Sequence, residues 1–301
     1  GLSLLDISTG EYLVAEGDTE YIDKLLTGFA PKEVLIQRGE KGKFEQLFSG
    51  RYFIFELDDW AFSEGSARTK VLKHFEVKNL KGFGVDHLHT AITAAGAILT
   101  YLDQTQHHHI EHITRITRIE EQRFVRLDKF TIRNLELIST NHGDGTSLLA
   151  VLDRTLSPMG ARLMRRQVLF PLRSVKEIEQ RLDSVEHFFR EPEFRELCEM
   201  ELGKVGDLER IVSKVATGRI NPREMQQLRC ALETVVVLKN ACKQAAQESI
   251  RDIGERLDAC TSLRQRIERE LRTDPPLTVN KGQVIANGVN AQLDELRNIQ
   301  T

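Results

Sequence analysis

The feature that most constrains this chain is a change of periodicity near residue 120. Beyond it, apolar side chains recur at helical spacing. Ile178, Leu182, Val185 and Phe189 form one stripe. Met225, Leu228, Leu232, Val235 and Leu238 form a second. A third runs Ile250, Ile253, Leu257, Cys260, Leu263, Ile267, Leu271 and stops before Pro275-Pro276. Steps of three and four residues put each set on one helix face, so each is expected to be long, amphipathic and buried on its apolar side. Their starts are also marked. Ser157-Pro158 sets a cap before a proline at the first helical position, Ser174 to Glu177 spells a capping box, and Asn221-Pro222-Arg223-Glu224 opens another helix.

The first 120 residues have a different grammar. Leu2 to Ile7 and Glu11 to Ala15 are strand-like, and Ser8-Thr9-Gly10 between them is a turn signal, so the pair predicts a hairpin. A short helix is expected over Thr19 to Leu26 and a strand over Glu33 to Ile36 after Pro31. An aromatic strand is expected over Tyr52 to Leu57, with helices over Ala67 to Phe75 and His87 to Gln104. The last is rich in alanine, which suits close packing against a sheet. The expected organisation is therefore an α/β domain over 1–120 and an all-α domain over 121–301, and 301 residues suffice for two cores. No short repeat points to a solenoid.

A formal net charge of -3 gives no overall basic character and predicts no strong electrostatic footprint on DNA. Cys198, Cys230, Cys242 and Cys260 are widely spaced, which fits neither a zinc site nor a disulfide framework. They are expected as reduced thiols on or near the buried stripes, in a cytoplasmic setting. No apolar run is long enough to span a membrane. The chain opens on Gly1 with no initiating Met and reads as an excised or trimmed piece. If a strand precedes Gly1 in a longer protein, a bared sheet edge would favour self-association, seen as a size-exclusion profile that changes when N-terminal residues are added.

Several constellations have a chemical reading and a bland one. His107-His108-His109 with His112 suggests a metal, but adjacent helical residues diverge by about 100°, and only His108 and His112 could share one. Glu111 would lie on another face, so the cluster reads as an exposed loop or helix end. Gly39 to Phe44 resembles the end of a phosphate-binding loop, yet the first glycine is misplaced and Phe44 stands where a hydroxyl is needed. Gly82-Phe83-Gly84 lacks the third glycine of a dinucleotide loop. Asp6, in a first strand before a turn, is how ribonuclease-H-like nucleases often begin. Two-metal chemistry would need Glu56, Asp58 or Asp59 to converge on it; otherwise Asp6 closes a hairpin. Arg162, Arg165, Arg166 and Arg173 either meet phosphates or pair with acidic neighbours such as Glu177 and Glu179. No G-x-S-x-G elbow exists. No catalytic, cofactor or metal residue is assigned, and no DNA-contact residue can be named.

Read in order, several phrases resemble the MutS family. They are Leu4-Leu5-Asp6-Ile7-Ser8-Thr9-Gly10-Glu11, Gly82-Phe83-Gly84-Val85, Ala94 to Leu102, and Leu127-Asp128 through Leu137. The series continues with Leu152-Asp153-Arg154-Thr155, Pro158 to Leu163, Val205 to Ile211, Pro222-Arg223-Glu224, and Gly282 to Leu296. The resemblance implies a ribonuclease-H-like connector domain without hydrolytic role, then a helical core or lever domain ending before a DNA clamp. It implies a longer protein that binds mismatched double-stranded DNA, uses ATP and Mg, works as a homodimer and recruits MutL. The family's aromatic wedge is a Phe-x-Glu in a preceding domain. Phe62-Ser63-Glu64, Phe189-Arg190-Glu191 and Phe194-Arg195-Glu196 all spell it here, in the wrong domains, so none carries the role.

Overall fold

A computed structural model describes residues 1–48, 52–105, 110–120, 123–125, 127–141 and 143–299. The chain divides into two compact units: 1–154 with 162–174, and 155–161 with 175–301.

The first unit begins with the expected hairpin. Strands β1 (Leu2–Asp6) and β2 (Glu11–Ala15) pair antiparallel, with Leu2 opposite Ala15 and Asp6 opposite Glu11. The Asp6 carboxylate closes the turn by accepting from the Ser8 amide at 2.8 Å and the Ser8 hydroxyl at 2.6 Å. Gly10 completes it at φ +73°, left-handed backbone that glycine adopts without a Cβ clash. Helix α1 (Thr19–Phe29) is capped by the Asp18 side chain on the Tyr21 amide and ends three residues later than its apolar pattern suggested. β3 (Glu33–Gln37), helix α2 (Lys41–Leu47) and β4 (Phe53–Leu57) follow, and β3 and β4 pair in parallel as a separate two-stranded sheet. Helices α3 (Glu64–His74) and α4 (His89–Gln104) pack together, and α4 also lies on β1 and β2. A strand that the sequence did not announce, β5 (Ile116–Arg118), joins β2 in parallel with Ile116 opposite Tyr12.

The α4–β1–β2 core contains Tyr12, Val14, Ile92, Leu99 and Ile116. The Tyr12 hydroxyl, inside that core, donates to the Ala95 carbonyl at 2.5 Å, so its one polar atom is satisfied. The close approach of α3 and α4 occurs at Ala67 and Gly96, so the small residues of α4 serve a neighbouring helix as well as a sheet.

A second cluster explains why the compact units do not divide at 120/121. Ile132, Leu137, Leu169 and Phe170 are buried with Tyr21, Leu25 and Leu26 of α1. Ile132 is on the short helix α5 (Lys129–Asn134) and Leu137 just after it, Leu169 and Phe170 are at the end of α7 (Pro158–Leu169), inside which the division falls, and the short helix α6 (Leu148–Leu152) between them buries none of its residues. Lys24 fastens the same region by donating to the Val125 carbonyl at 2.9 Å, with its ammonium 5.5 Å from the Phe170 ring centroid.

The second unit is helical: α8 (Val175–Arg190), α9 (Pro192–Val205), α10 (Leu208–Ala216), α11 (Pro222–Gln244), α12 (Glu248–Arg256), α13 (Thr261–Glu270) and α14 (Ala291–Ile299). Helices α9, α10, α12 and α13 all pack on α11. Leu228, Leu232, Val235 and Leu238 are buried as expected, while Met225 is half-buried. The third stripe is two helices rather than one. The chain leaves α12 at Leu257 and turns through Cys260, whose φ of 43° is left-handed, so Ile253 and Leu263 end exposed while Ile250 and Ile267 are buried. The α8 stripe, expected in the core, is exposed at all four positions.

The start of α11 carries a full capping box. Asn221 accepts from the Glu224 amide at 2.9 Å, and the Glu224 carboxylate accepts from the Asn221 amide at 3.1 Å. Burial works against the Glu224 carboxylate, but Lys214 and this amide hold it below the ordinary range. Asn221→Ala is expected to cost about 1 kcal/mol, read by urea denaturation, because it removes the acceptor for an otherwise orphaned amide; an unchanged midpoint would contradict that role.

Candidate functional site

The sharpest chemical candidate, Asp6, has its carboxylate turned into its own hairpin turn. The acidic residues it would need lie elsewhere. Glu56 is on β4, in the other sheet, and accepts from the Gly39 amide at 3.3 Å. Asp58 pairs with Arg38 at 2.8 Å, and Asp59 starts a single 3-10 turn. Among the described residues no group of three or more His, Cys, Asp or Glu is placed to hold a metal ion. The two-metal reading of Asp6 therefore lacks its converging carboxylates.

The histidine cluster is divided. His107, His108 and His109 lie outside the described residues. His112 Nε2 is 2.7 Å from the Ile7 carbonyl and donates to it, while Nδ1 is out of reach of solvent with no hydrogen-bond partner among the described residues. Neither nitrogen is presented to an ion in solvent. The ring instead clamps the hairpin from outside its turn, where a Cβ on Gly10 would come within 2.9 Å of the His112 carbonyl oxygen.

The glycine-rich runs are structural. Gly39 to Phe44 leads into α2, with the Glu56 and Glu40 carboxylates beside it rather than a nest of free amides; Lys43 pairs with Glu40 at 3.1 Å. Gly82-Phe83-Gly84 lies in a turn latched by Asp86. The Leu80 amide donates to that carboxylate at 3.0 Å and Arg68 forms an ion pair with it; the amide and then Arg68 hold Asp86 below the usual carboxylate range. Arg162, Arg165 and Arg166 are half-buried on α7 rather than displayed as a cationic face. Arg166 pairs with Glu11 at 2.5 Å and lies 5.9 Å from the Phe29 ring centroid. The backbone amide of Arg173 donates to the Arg123 carbonyl at 3.1 Å.

The cysteines split as well. Cys198 and Cys242 are buried, but Cys230 and Cys260 are exposed, because Cys260 sits in the break between α12 and α13. Burial, with Cys242 nearby, pushes the Cys198 thiol up to about 11, and burial raises Cys242, so neither is poised as a nucleophile.

Two features escaped the reading of the sequence. One is a cleft of about 400 Å³ in the first unit, lined by Asp23, Leu26, Tyr52, Phe130, Ile132 and Arg133. Its walls meet only through tertiary contacts, so no local pattern announces it. The other is the outward direction of the α8 stripe, whose spacing was visible but whose orientation was not.

Comparison with known proteins matches the two halves to two family models. Residues 1–114 match MutS domain II, and residues 130–300 match MutS domain III. DNA mismatch repair protein MutS of Phocaeicola vulgatus is 61% identical over 299 residues, which is 99% of this chain and 34% of that protein. The protein of the same description from Parabacteroides distasonis is 59% identical over 99% of this chain and 34% of its own length. That from Flavobacterium johnsoniae is 43% identical over 100% of this chain and 35% of its own length. The chain thus spans about a third of the length of the curated relatives it matches. Two adjacent domains of one family, in family order and over nearly every residue, place this chain in the MutS family of DNA mismatch repair proteins, of which it carries domains II and III.

Proposed function

We propose that this chain is the transmission segment of a mismatch-recognition protein. In this reading 1–120 is a connector of ribonuclease-H-like fold, and 121–301 is the helical core or lever leading towards a DNA clamp. The longer protein binds mismatched double-stranded DNA, uses ATP and Mg at a site outside this chain, acts as a homodimer and works in the cytoplasm. The connector offers a surface to MutL. The observation that carries the reading is the pair of family matches, at 1–114 and 130–300, on a chain whose described carboxylates do not converge. An opening antiparallel hairpin followed by parallel pairings supports the ribonuclease-H-like assignment.

Physically, α11 suits the task. At 23 residues it is a rod of about 34 Å. Four helices packed along it make one close-packed body, which shifts as a unit rather than bending. Coupling between distant sites through such bodies is typically about 1–3 kcal/mol.

The test is to offer this chain labelled matched and mismatched duplexes with Mg²⁺ or Mn²⁺, and separately ATP. The expected result is no cleavage, no ATP turnover above background and no preference for the mismatch, with Asp6→Asn indistinguishable in all three. Metal-dependent cleavage that disappears in Asp6→Asn would overturn the reading.

A further inference from the structure

Asn287 is the one asparagine of this chain that a glycine follows. The pair sits in an exposed turn between the segment 284–286 and helix α14. That segment is tied down. Ile285 bridges to Leu271, and the Ala286 amide donates to the Glu270 carbonyl at 2.9 Å. From the other side α14 reaches back with two half-buried charged side chains. Asp294 Oδ2 accepts from the Gly288 amide at 2.7 Å. Arg297 Nη1 donates to Asn287 Oδ1 at 3.0 Å, and its Nη2 donates to the Ile285 carbonyl at 2.9 Å. Gly288 stands at φ +84°, and a Cβ built there would meet nothing within 4 Å, so the space beside its nitrogen is clear.

This places a base and an oxyanion donor around two groups able to react with each other. An asparagine carboxamide can be attacked by the backbone nitrogen of the next residue, closing a succinimide ring, and glycine hinders that attack least. The nitrogen is a poor nucleophile until it loses its proton, which a base within hydrogen-bond reach can take. The carbonyl oxygen gathers negative charge as the bond forms, and a fixed donor stabilises it. Asp294 and Arg297 meet those needs at 2.7 and 3.0 Å.

We propose that Asn287 is a self-modifying site, deamidated through a succinimide with Asp294 as the base and Arg297 as the oxyanion donor. The Gly288 nitrogen gives its proton to Asp294 and bonds to Asn287 Cγ. The Cγ–Nδ2 bond then breaks, and Nδ2 takes that proton and leaves as ammonia. Water opens the ring at either carbonyl, leaving aspartate or isoaspartate at position 287. The proposal is independent of the transmission reading. Isoaspartate puts an extra methylene into the backbone of the turn and parts the Gly288 amide from Asp294. Helix α14 buries none of its nine residues and is too short to persist without this network, so the modification loosens it.

The experiment is to age this chain at neutral pH, native and in parallel unfolded in urea. The peptide carrying position 287 is followed by mass spectrometry, and isoaspartate is scored with a protein isoaspartyl methyltransferase. Asn290, close by but followed by alanine, is the internal control. The native chain is expected to convert Asn287 about 10-fold faster than the unfolded one, with no such gain at Asn290. Asp294→Asn keeps an oxygen for the Gly288 amide but takes up no proton, and Arg297→Gln removes the charge at Oδ1. Each is expected to bring the native rate down to that of the unfolded chain. Exchange protection over 291–299 is expected to fall as isoaspartate accumulates; protection that stays whole would overturn the loosening of α14. A native rate equal to or below the unfolded rate would overturn the proposal, because the network would then restrain the turn. So would an undiminished rate in Asp294→Asn with α14 still protected. If that variant releases α14, Arg297→Gln and the native-to-unfolded comparison decide.

Discussion

Gly96→Ala is expected to destabilise the first unit by about 3 kcal/mol, or to prevent its folding. A Cβ built on Gly96 meets Ala67 Cα and Cβ at 2.4 Å and the Ala67 carbonyl oxygen at 2.6 Å. Two of those atoms are backbone, so no side-chain rotation relieves the overlap and one helix must move. Helix α4 is poorly placed to do so. Its Ala91, Ile92, Ala95 and Leu99 are buried, and its Ala95 carbonyl receives the Tyr12 hydroxyl. Ordinary overpacking costs about 1–3 kcal/mol, and backbone contact on a pinned helix belongs at the upper end. The measurement is urea denaturation with hydrogen exchange resolved over residues 64–74 and 89–104. A change under about 0.5 kcal/mol with undiminished protection would show that α3 and α4 approach less closely than described.

Ile250→Ala is expected to cost about 3 kcal/mol in the second unit. Ile250 is 1% exposed and packs with Cys242 and Ala245, with Phe188 and Phe194 against the same cluster. How much the neighbours can collapse decides where in the usual range the loss falls, and here they are restrained. One turn further, a Cβ on Gly254 would already come within 2.9 Å of Cys242 Cβ, so α12 is at its closest approach to α11 and cannot settle into the void. Helix α12 has only nine residues, too few to persist without packing. Loss of exchange protection over 248–256 is therefore expected before the rest of the unit opens. Full protection there, with stability within about 1 kcal/mol of the parent, would show that Ile250 does not anchor α12.

Local signals carried their own elements. Ser8-Thr9-Gly10 foretold the hairpin, and Asn221 to Glu224 the start of α11, because caps and turns are settled among residues next to one another. What escaped depends on distant partners. Strand β5 is three residues long and exists only because Ile116 finds Tyr12. Helix α2 buries none of its seven residues, so no apolar pattern marks it. The break at Cys260 interrupts a stripe whose spacing runs on unperturbed. Nothing local separates residues 121–174 from the helices after them, although Ile132 and Phe170 are buried against α1. The candidate site followed the same rule. Asp6 was legible as a carboxylate in the right kind of strand, but its partner, Ser8, is a matter of where the carboxylate turns. The stripe on α8 was legible as spacing; its outward direction depends on Ser249, Phe194 and Ile250, far along the chain.

The discontinuity of the first unit bears on how the protein is made. Its last piece, 162–174, is synthesised after 155–161 has begun the second unit. Translation proceeds at roughly 5–20 residues per second, and domains fold as they emerge. The hairpin leaves the ribosome before its partners: Tyr12 waits for Ile116, and Leu25 and Leu26 wait for Leu169 and Phe170. During that interval α1 presents an open apolar face. A nascent chain stalled before residue 162 is thus a substrate for chaperones, whereas one stalled after 174 carries every piece of the first unit.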